Sequence, residues 1–357
     1  MRARHAALPF VSLLVLLLAL LPILPLSAAS LHYFRENGQV GLKDDAGRVL
    51  VPARYSDIGW TLYDTNPQGG EIEFMGSIQQ PDAANDAPAS AAGDVYDRQG
   101  NYLYSPISFD NGTDYWEEGY RRFIESGKVG FVDGDGRKVI PAQYAAATPF
   151  FHGYATVYTG RWRAKQIDGG EHAVLEAADE TARTHVINRK GETVAGSLRR
   201  QSPRDVKLGG RYYPDPFTHS PFEQDIVTRL NAAAVLTELA VWHDLDPRAG
   251  NRIRFAVTAR PSRIEPYYRL SAYQYDKDGR EPLSDSELSY IVADHKGHLF
   301  YRAWGETRPI LLKTWLRGAL KMRRGKWRAS RSCPTASMPP AACANCRSYH
   351  CRNHPKN

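Results

Sequence analysis

The chain has 357 residues, with 46 Lys/Arg, 39 Asp/Glu and a formal net charge of +7. Arg2, Arg4 and the ten Lys/Arg from Arg317 onward, a stretch without acids, leave 34 basic against 39 acidic residues in between. A basic excess confined to the two ends excludes nucleic-acid binding by the folded body, because such a domain carries its basic patch on the fold itself.

In chain order, the first element is a leader. Arg2, Arg4 and His5 precede an apolar run from Phe10 to Leu24; Pro22 and Pro25 break it, and Ser27-Ala28-Ala29 follow. That is the basic, apolar and small-residue order of a secretory signal peptide, expected over 1–29. Because a spanning helix needs about 20 unbroken apolar residues, an uncleaved anchor is the weaker alternative.

A repeat comes next. Residues 38–55 align without gaps on residues 127–144, with nine of eighteen positions identical: Gly38, Val40, Gly41, Asp44, Gly47, Arg48, Pro52, Ala53 and Tyr55 recur at a constant offset. Each unit reads as a β-hairpin, with apolar residues on both sides of Asp-x-x-Gly. Asp bonds the following backbone, and Gly accepts the left-handed conformation that closes a three-residue loop. Pro52 and Pro141 are expected to end the outgoing strand, and Tyr55 and Tyr144 to pack back on the hairpin. The same pattern appears at Asp97–Gly100, Asp276–Gly279 and Asp294–Gly297, and with Asn at Asn188–Gly191. None has the twelve-residue ligand spacing of a calcium loop.

This pattern, Gly-x-φ-Gly-φ-φ-Asp-x-x-Gly-x-φ-φ-φ-Pro-x-x-Tyr (φ apolar), resembles the repeat of the WG-repeat (KWG-type) proteins. The resemblance extends to Phe150-Phe151-His152-Gly153-Tyr154-Ala155-Thr156-Val157 directly after the second unit. It is specific over 127–157, fair over 38–55, and faint over 94–106 and 185–195. Val40 and Val129 stand where the family carries its aromatic residue, and the units lie farther apart than in an even tandem array. The resemblance implies tandem β-hairpin units acting as binding or scaffolding repeats without a catalytic constellation.

Farther on, residues 81–93 form a low-complexity loop, and residues 199–221 a Pro-, Arg- and Gly-containing connector. Ser220-Pro221-Phe222-Glu223 is a capping box with proline in the first helical turn. Ile226, Leu230, Ala233, Ala234, Thr237, Ala240 and Val241 share one helical face, so a helix is expected to end near His243–Pro247. Strand-like runs follow at Ile253–Ala259, Tyr267–Tyr275, Leu288–Ala293, His298–Trp304 and Ile310–Trp315. The expected fold is mainly β with an α+β C-terminal part: an irregular WG-type hairpin-repeat domain over 30–200, a linker over 201–220, and a small helix-plus-antiparallel-sheet domain over 221–316. A basic, Cys-containing, disordered tail is expected over 317–357.

The chemistry-bearing candidates are few. All four cysteines, Cys333, Cys343, Cys346 and Cys351, lie in the last 25 residues. With His350 and His354 they leave three readings open: a disulfide-closed tail, a zinc knuckle, or a loose segment. Glu117 and Glu118 beside Tyr115-Trp116 suggest a carboxylate pair, yet adjacent strand residues point to opposite sides. Asn111-Gly112-Thr113 fits a glycosylation sequon. His295 sits on a turn, and His243 lies beside Asp244 with no Gly-x-Ser-x-Gly elbow anywhere. No catalytic, cofactor-binding or metal residue and no cofactor is therefore expected. The expected protein is periplasmic or secreted and non-catalytic, binding an envelope protein or glycan, with no nucleic acid and no membrane contact after leader removal. Its rival is an envelope hydrolase with its site in 221–316, around His243, Asp244 and His298.

Overall fold

A computed structural model describes residues 30–59, 71–80, 84, 86–109, 112–166, 173–236, 252–262, 265–275, 282–285, 290–302 and 308–331. The chain forms two compact units: residues 1–218 with 258–267, and residues 219–257 with 268–357. Both are built chiefly from antiparallel strands.

The first unit opens with β1 (Leu31–Glu36), β2 (Gln39–Asp44) and β3 (Val49–Tyr55), a three-stranded sheet. After them come β4 (Asp57–Ile58), β5 (Glu71–Met75), β6 (Gly93–Asp97), β7 (Tyr102–Pro106), β8 (Ser108–Phe109) and β9 (Gly112–Thr113). The second copy of the repeat supplies β10 (Tyr120–Glu125), β11 (Lys128–Asp133) and β12 (Lys138–Tyr144). Strands β12, β11, β10, β7, β6, β5 and β4 pair in that order into a seven-stranded sheet. Short strands β13 (Ala146–Ala147), β14 (Tyr154–Thr159), β15 (Trp162–Gln166), β16 (Ala173–Ala177), β17 (Arg183–Asn188), β18 (Val206–Leu208) and β19 (Arg211–Tyr213) complete the unit. They form a β13-β14-β17 sheet and two hairpins.

The repeating element is larger than a hairpin. Glu36 pairs with Gln39, and Glu125 with Lys128, each across a two-residue turn. Asn37-Gly38 and Ser126-Gly127 all have positive φ, between 50° and 80°. Two consecutive left-handed residues match the natural strand twist, which joins a further strand in front of each hairpin. Phe34/Phe123 and Glu36/Glu125 are then also equivalent. Pro52 and Pro141 do not end the outgoing strands, contrary to the sequence expectation. Both lie inside β3 and β12, where the register shifts between Val40↔Tyr55 and Leu42↔Val51, and between Val129↔Tyr144 and Phe131↔Ile140. A bulge has no ladder bond for that residue to donate, so proline fits there. Gly41 and Gly130 face these bulges. A Cβ on Gly130 would meet Ile140 O at 2.5 Å, Phe123 Cε1 at 2.6 Å and Ala142 N at 2.7 Å; on Gly41 the equivalent atoms of Val51, Phe34 and Ala53 stand at 2.6–2.7 Å.

The Asp-x-x-Gly turns share one geometry. At Asp44, Asp97, Asp133, Asn188 and Asp294, the residue's N–H donates to the carbonyl four residues on, and its own carbonyl accepts from the glycine N–H. Its side-chain oxygen accepts from the N–H of the residue that follows the glycine. Asp276–Gly279 lies outside the described residues.

The turns of the first unit also stack in sequence. Gly100 sits against Leu50, Gly136 against Leu103 and Tyr104, and Gly191 against Ile140. Each contact falls three or four residues after the previous turn glycine, so every turn rests on the outgoing strand of the unit before it. Gly47, first in the series, has open space around it. The turns thus keep a regular stacking although the segments between them vary in length. Apolar residues alternate inward to form the cores: Val40, Leu42, Val51, Tyr55, Ile72 and Phe74 in one cluster, Val129, Phe131, Ile140, Phe150 and Val157 in another.

In the second unit, α1 (Pro221–Asn231) starts at Ser220, whose side chain accepts from Glu223 N–H while Glu223 accepts from Ser220 N–H. Ile226, Val227 and Leu230 face the core with Ile253, Phe255, Leu270 and Ile291. Burying a side chain of that size is worth about 1.5–3 kcal/mol. The helix does not run unbroken towards His243–Pro247. It is capped at Ala232, and helix resumes over residues 234–236, with 237–251 outside the described residues. The sheet uses β20 (Arg252–Ala259), β21 (Tyr268–Tyr275), β22 (Pro282–Asp285), β23 (Ile291–Ala293), β24 (Leu299–Tyr301) and β25 (Ile310–Leu311). The run expected as strand over Ile310–Trp315 switches at Leu312 into α2 (Leu312–Arg331), which also replaces the first part of the expected disordered tail with helix. Leu312, Trp315 and Leu316 pack on the core at helical spacing, and Trp315 stacks on Tyr301 at 4.0 Å; tertiary packing selects the helical period. No helix among the described residues is long and apolar enough to cross a membrane.

Candidate functional site

The most distinctive side-chain arrangement of the first unit surrounds the small β8–β9 hairpin. Phe109 is paired with Gly112 and is 41% exposed, beside the buried Thr113 and Asp114. Tyr115 meets it edge-on at 5.8 Å. Trp116, also part-exposed, follows directly. The guanidinium of Arg122 lies 5.0 Å from the Phe109 ring centroid, and that of Arg121 lies 5.9 Å from Trp116. Phe109 and Tyr115 therefore form a ledge over Arg122. Trp116 instead lies over Arg121, which as the neighbouring residue of β10 points to the opposite face, and packs on the cluster of Val95, Tyr104, Phe123 and Val132.

Those cations are buried and fully engaged. Arg122 Nη2 and Nε donate to the Asp114 carboxylate at 2.5 and 2.9 Å, and Nη1 donates to Ala147 O at 2.8 Å. Asp114 also accepts the Arg122 backbone N–H at 3.0 Å. Arg121 Nη1 pairs with Glu73 at 2.6 Å, and its Nε donates to Asp114 O at 2.8 Å. Glu73 takes a further bond from the Thr113 hydroxyl, and Tyr104 donates to Glu71 at 3.1 Å. Burial opposes the charge on Arg121, but Glu73 and then Tyr104 outweigh it and hold the guanidinium pKa above its usual value. Burial, reinforced by Glu71, keeps the Tyr104 phenol protonated well beyond its ordinary range. With the Arg122 fork bidentate to Asp114 and Arg121 held by the Glu73 carboxylate and the Asp114 carbonyl, each arginine serves as a floor for the ring above it.

Other sequence candidates fall elsewhere. Glu118 is buried at φ 51°, accepts the Gly153 N–H at 2.7 Å and pairs with Arg189 at 3.5 Å. Glu117 closes a small turn with Tyr120 through its backbone. Thr113 is buried, and Asn111 lies outside the described residues. His298 is exposed and bonds Asp294 at 2.9 Å within its own turn. His243 and Asp244 lie outside the described residues, as do Cys333, Cys343, Cys346, His350, Cys351 and His354. Among the described residues no group of three or more His, Cys, Asp or Glu is placed to hold a metal. His152, from the Phe-x-x-Gly stretch, is fully buried, which pushes its imidazole pKa down to about 3.

The sequence reading did not single out Glu73, Asp94, Asp114, Arg121 or Arg122. Asp94 is a structural hub, accepting from Tyr55 Oη, Ser77 Oγ, Ser105 Oγ and the N–H groups of Ile78 and Gln79. Tyr55 stacks on Phe74 at 4.4 Å, and Tyr144 is likewise buried, so the conserved-spacing tyrosines belong to the core. Consecutive arginines in a strand ordinarily read as surface, and no local pattern marks these two as buried.

No curated protein and no solved structure matches the chain. A family model described as WG containing repeat matches residues 130–160, from Gly130 in β11 through β12 and β14 to the turn at Gly160. The chain therefore carries a WG-containing repeat over that stretch, on the residues where its own internal repeat is clearest.

Proposed function

We propose that the protein is exported to the periplasm or beyond and acts there as a non-catalytic module that binds a protein or glycan of the cell envelope through the Phe109–Tyr115 ledge. The observation that carries this reading is the contrast between exposed rings and committed charges. Phe109 remains 41% exposed, whereas Arg122 beneath it is held in a buried ion pair with Asp114. Large, stiff aromatic faces on a rigid floor suit recognition, because little conformational freedom is lost when they are covered. Such rings can cover the apolar face of a sugar or an aliphatic protein surface. The leader-like residues 1–29 support the compartment.

The test is capture. Purified mature chain, immobilised, is exposed separately to an envelope-protein extract and to isolated cell-wall polysaccharide, alongside Phe109→Ala and Tyr115→Ala. Retention of a component by the wild type and its loss in both variants, with unchanged circular dichroism, supports the ledge. Equal retention by all three chains refutes it.

A further inference from the structure

The first Asp-x-x-Gly turn differs from the other four described turns at its second residue. Asp44 does the work of the turn, accepting the Arg48 N–H at 2.9 Å and pairing with Arg48 Nε at 3.1 Å. Asp45 takes no part in that. The equivalent position is Arg98, Gly134, Arg189 and His295 in the other turns, so the turn itself does not ask for a carboxylate there. Asp45 instead reaches back to the start of β1. Its Oδ2 accepts the Ser30 N–H at 3.1 Å, and its Oδ1 accepts the His32 Nε2–H at 2.5 Å. The register makes this unavoidable: Leu31 pairs with Asp44, so Ser30 lies one step beyond the last pair, alongside Asp45. Ser30 is also the residue that directly follows Ala28-Ala29, the small residues closing the apolar leader.

We propose that the Ala29–Ser30 bond is the processing site of the leader, and that Asp45, held in place by the His32 hydrogen bond, is a receptor for the α-ammonium group created there. The inference rests on the export reading above. A leader peptidase adds water across the Ala29–Ser30 amide; Ala29 departs with the new carboxylate, and the Ser30 nitrogen takes a proton to become –NH3+. A single neutral N–H facing Asp45 thereby becomes three donors carrying a positive charge. Charge-assisted bonds of that kind are roughly twice as strong as neutral ones. Processing thus pins the outer end of the first strand, where a chain terminus would otherwise fray.

The electrostatic surroundings favour this role. The His32 hydrogen bond, with the Ser30 N–H adding to it, holds the Asp45 carboxyl below its usual range against a small opposing desolvation. The other charged groups nearby are Asp44 and Arg48, paired with each other, and Lys43, which lies opposite His32 in the ladder with its Nζ 5.7 Å from the Phe34 ring centroid.

The experiment expresses the full chain in a Gram-negative host, recovers the periplasmic form and determines its first residue by N-terminal sequencing. The pH dependence of α-amine acylation is then followed by mass spectrometry for the wild type, Asp45→Asn and Glu36→Gln. The expected product begins at Ser30, and its amine titrates above the ordinary α-amine value of about 8. Asp45→Asn is expected to lower that midpoint by about half a unit or more, the scale of an adjacent opposite charge. Glu36→Gln, which removes the same charge from an exposed site on the same sheet, leaves it unchanged. An exported chain that begins elsewhere, or an Asp45→Asn amine that titrates like the wild type, overturns the receptor while leaving export standing. A full-length chain retained in the cytoplasm overturns the export reading, and this inference with it.

Discussion

Gly130→Ala tests whether the bulge of the repeat fixes its glycine. The added methyl would stand 2.5 Å from Ile140 O, 2.6 Å from Phe123 Cε1 and 2.7 Å from Ala142 N. Two of those three atoms are backbone of β12, so relief requires the strands to part at the bulge. Overpacking of this kind costs about 1–3 kcal/mol and sometimes more, and backbone opponents place this site at the upper end. About 3 kcal/mol corresponds to a loss of protection on the order of a hundredfold. Gly127→Ala provides the contrast: it has open space around it but φ of 70°, so only the left-handed penalty of about 1–2 kcal/mol applies. Native-state hydrogen exchange read by mass spectrometry on peptides 128–144 and 39–55 separates the two effects by location. Gly130→Ala should lower protection in 128–144 beyond Gly127→Ala and leave 39–55 near wild type, and Gly41→Ala should do the reverse. If Gly130→Ala costs no more than Gly127→Ala, close packing at the bulge is not what requires the glycine.

Arg122→Met leaves the Asp114 carboxylate buried without its guanidinium and is expected to destabilise the chain by about 3–5 kcal/mol, read as a fall in thermal midpoint. Arg122→Met with Asp114→Asn should recover most of that, since the amide oxygen still accepts the backbone N–H and no unpaired charge remains. On the acid side, burial pushes His152 down to about 3, so the unfolded chain takes up that proton first. The stability it contributes is present above the unfolded value of about 6.5 and is lost as pH falls towards 3. Urea midpoints across that window should lose this slope in His152→Asn, which tolerates the positive φ. On the alkaline side, burial first and then Asp215 push Tyr154 up to about 12. Its contribution is therefore intact below about pH 10, where unfolded tyrosine ionises, and declines from there towards pH 12. Tyr154→Phe should flatten that decline, although it also gives up the 2.6 Å bond to Pro214 O.

How much of this was legible in advance depends on how local the cause is. The capping box at Ser220 and Glu223 and the five described Asp/Asn turns follow from short-range chemistry, and each forms as its sequence implies. The strand in front of each hairpin was missed because it is marked only by Asn37-Gly38 and Ser126-Gly127, and just Phe34, Glu36 and their counterparts repeat within it. The prolines were misplaced because a bulge and a strand end exclude a ladder donor equally well, and only pairing tells them apart. Ile310–Trp315 reads as a strand by composition, but Trp315 finds Tyr301, and the helical period prevails.

By itself, then, the amino-acid order determined where the chain reverses and what alternates between reversals, because those depend on neighbours a few residues apart. The stacking of each turn glycine on the preceding outgoing strand, the bulges beneath Gly41 and Gly130, and the burial of Arg121 and Arg122 against Glu73 and Asp114 were decided only in three dimensions. Glu73 and Arg121 stand 48 positions apart, and Gly191 meets Ile140 across 51. The energy of such a contact depends on which group arrives from far along the chain and how much water it displaces, and no pattern in either local segment encodes that.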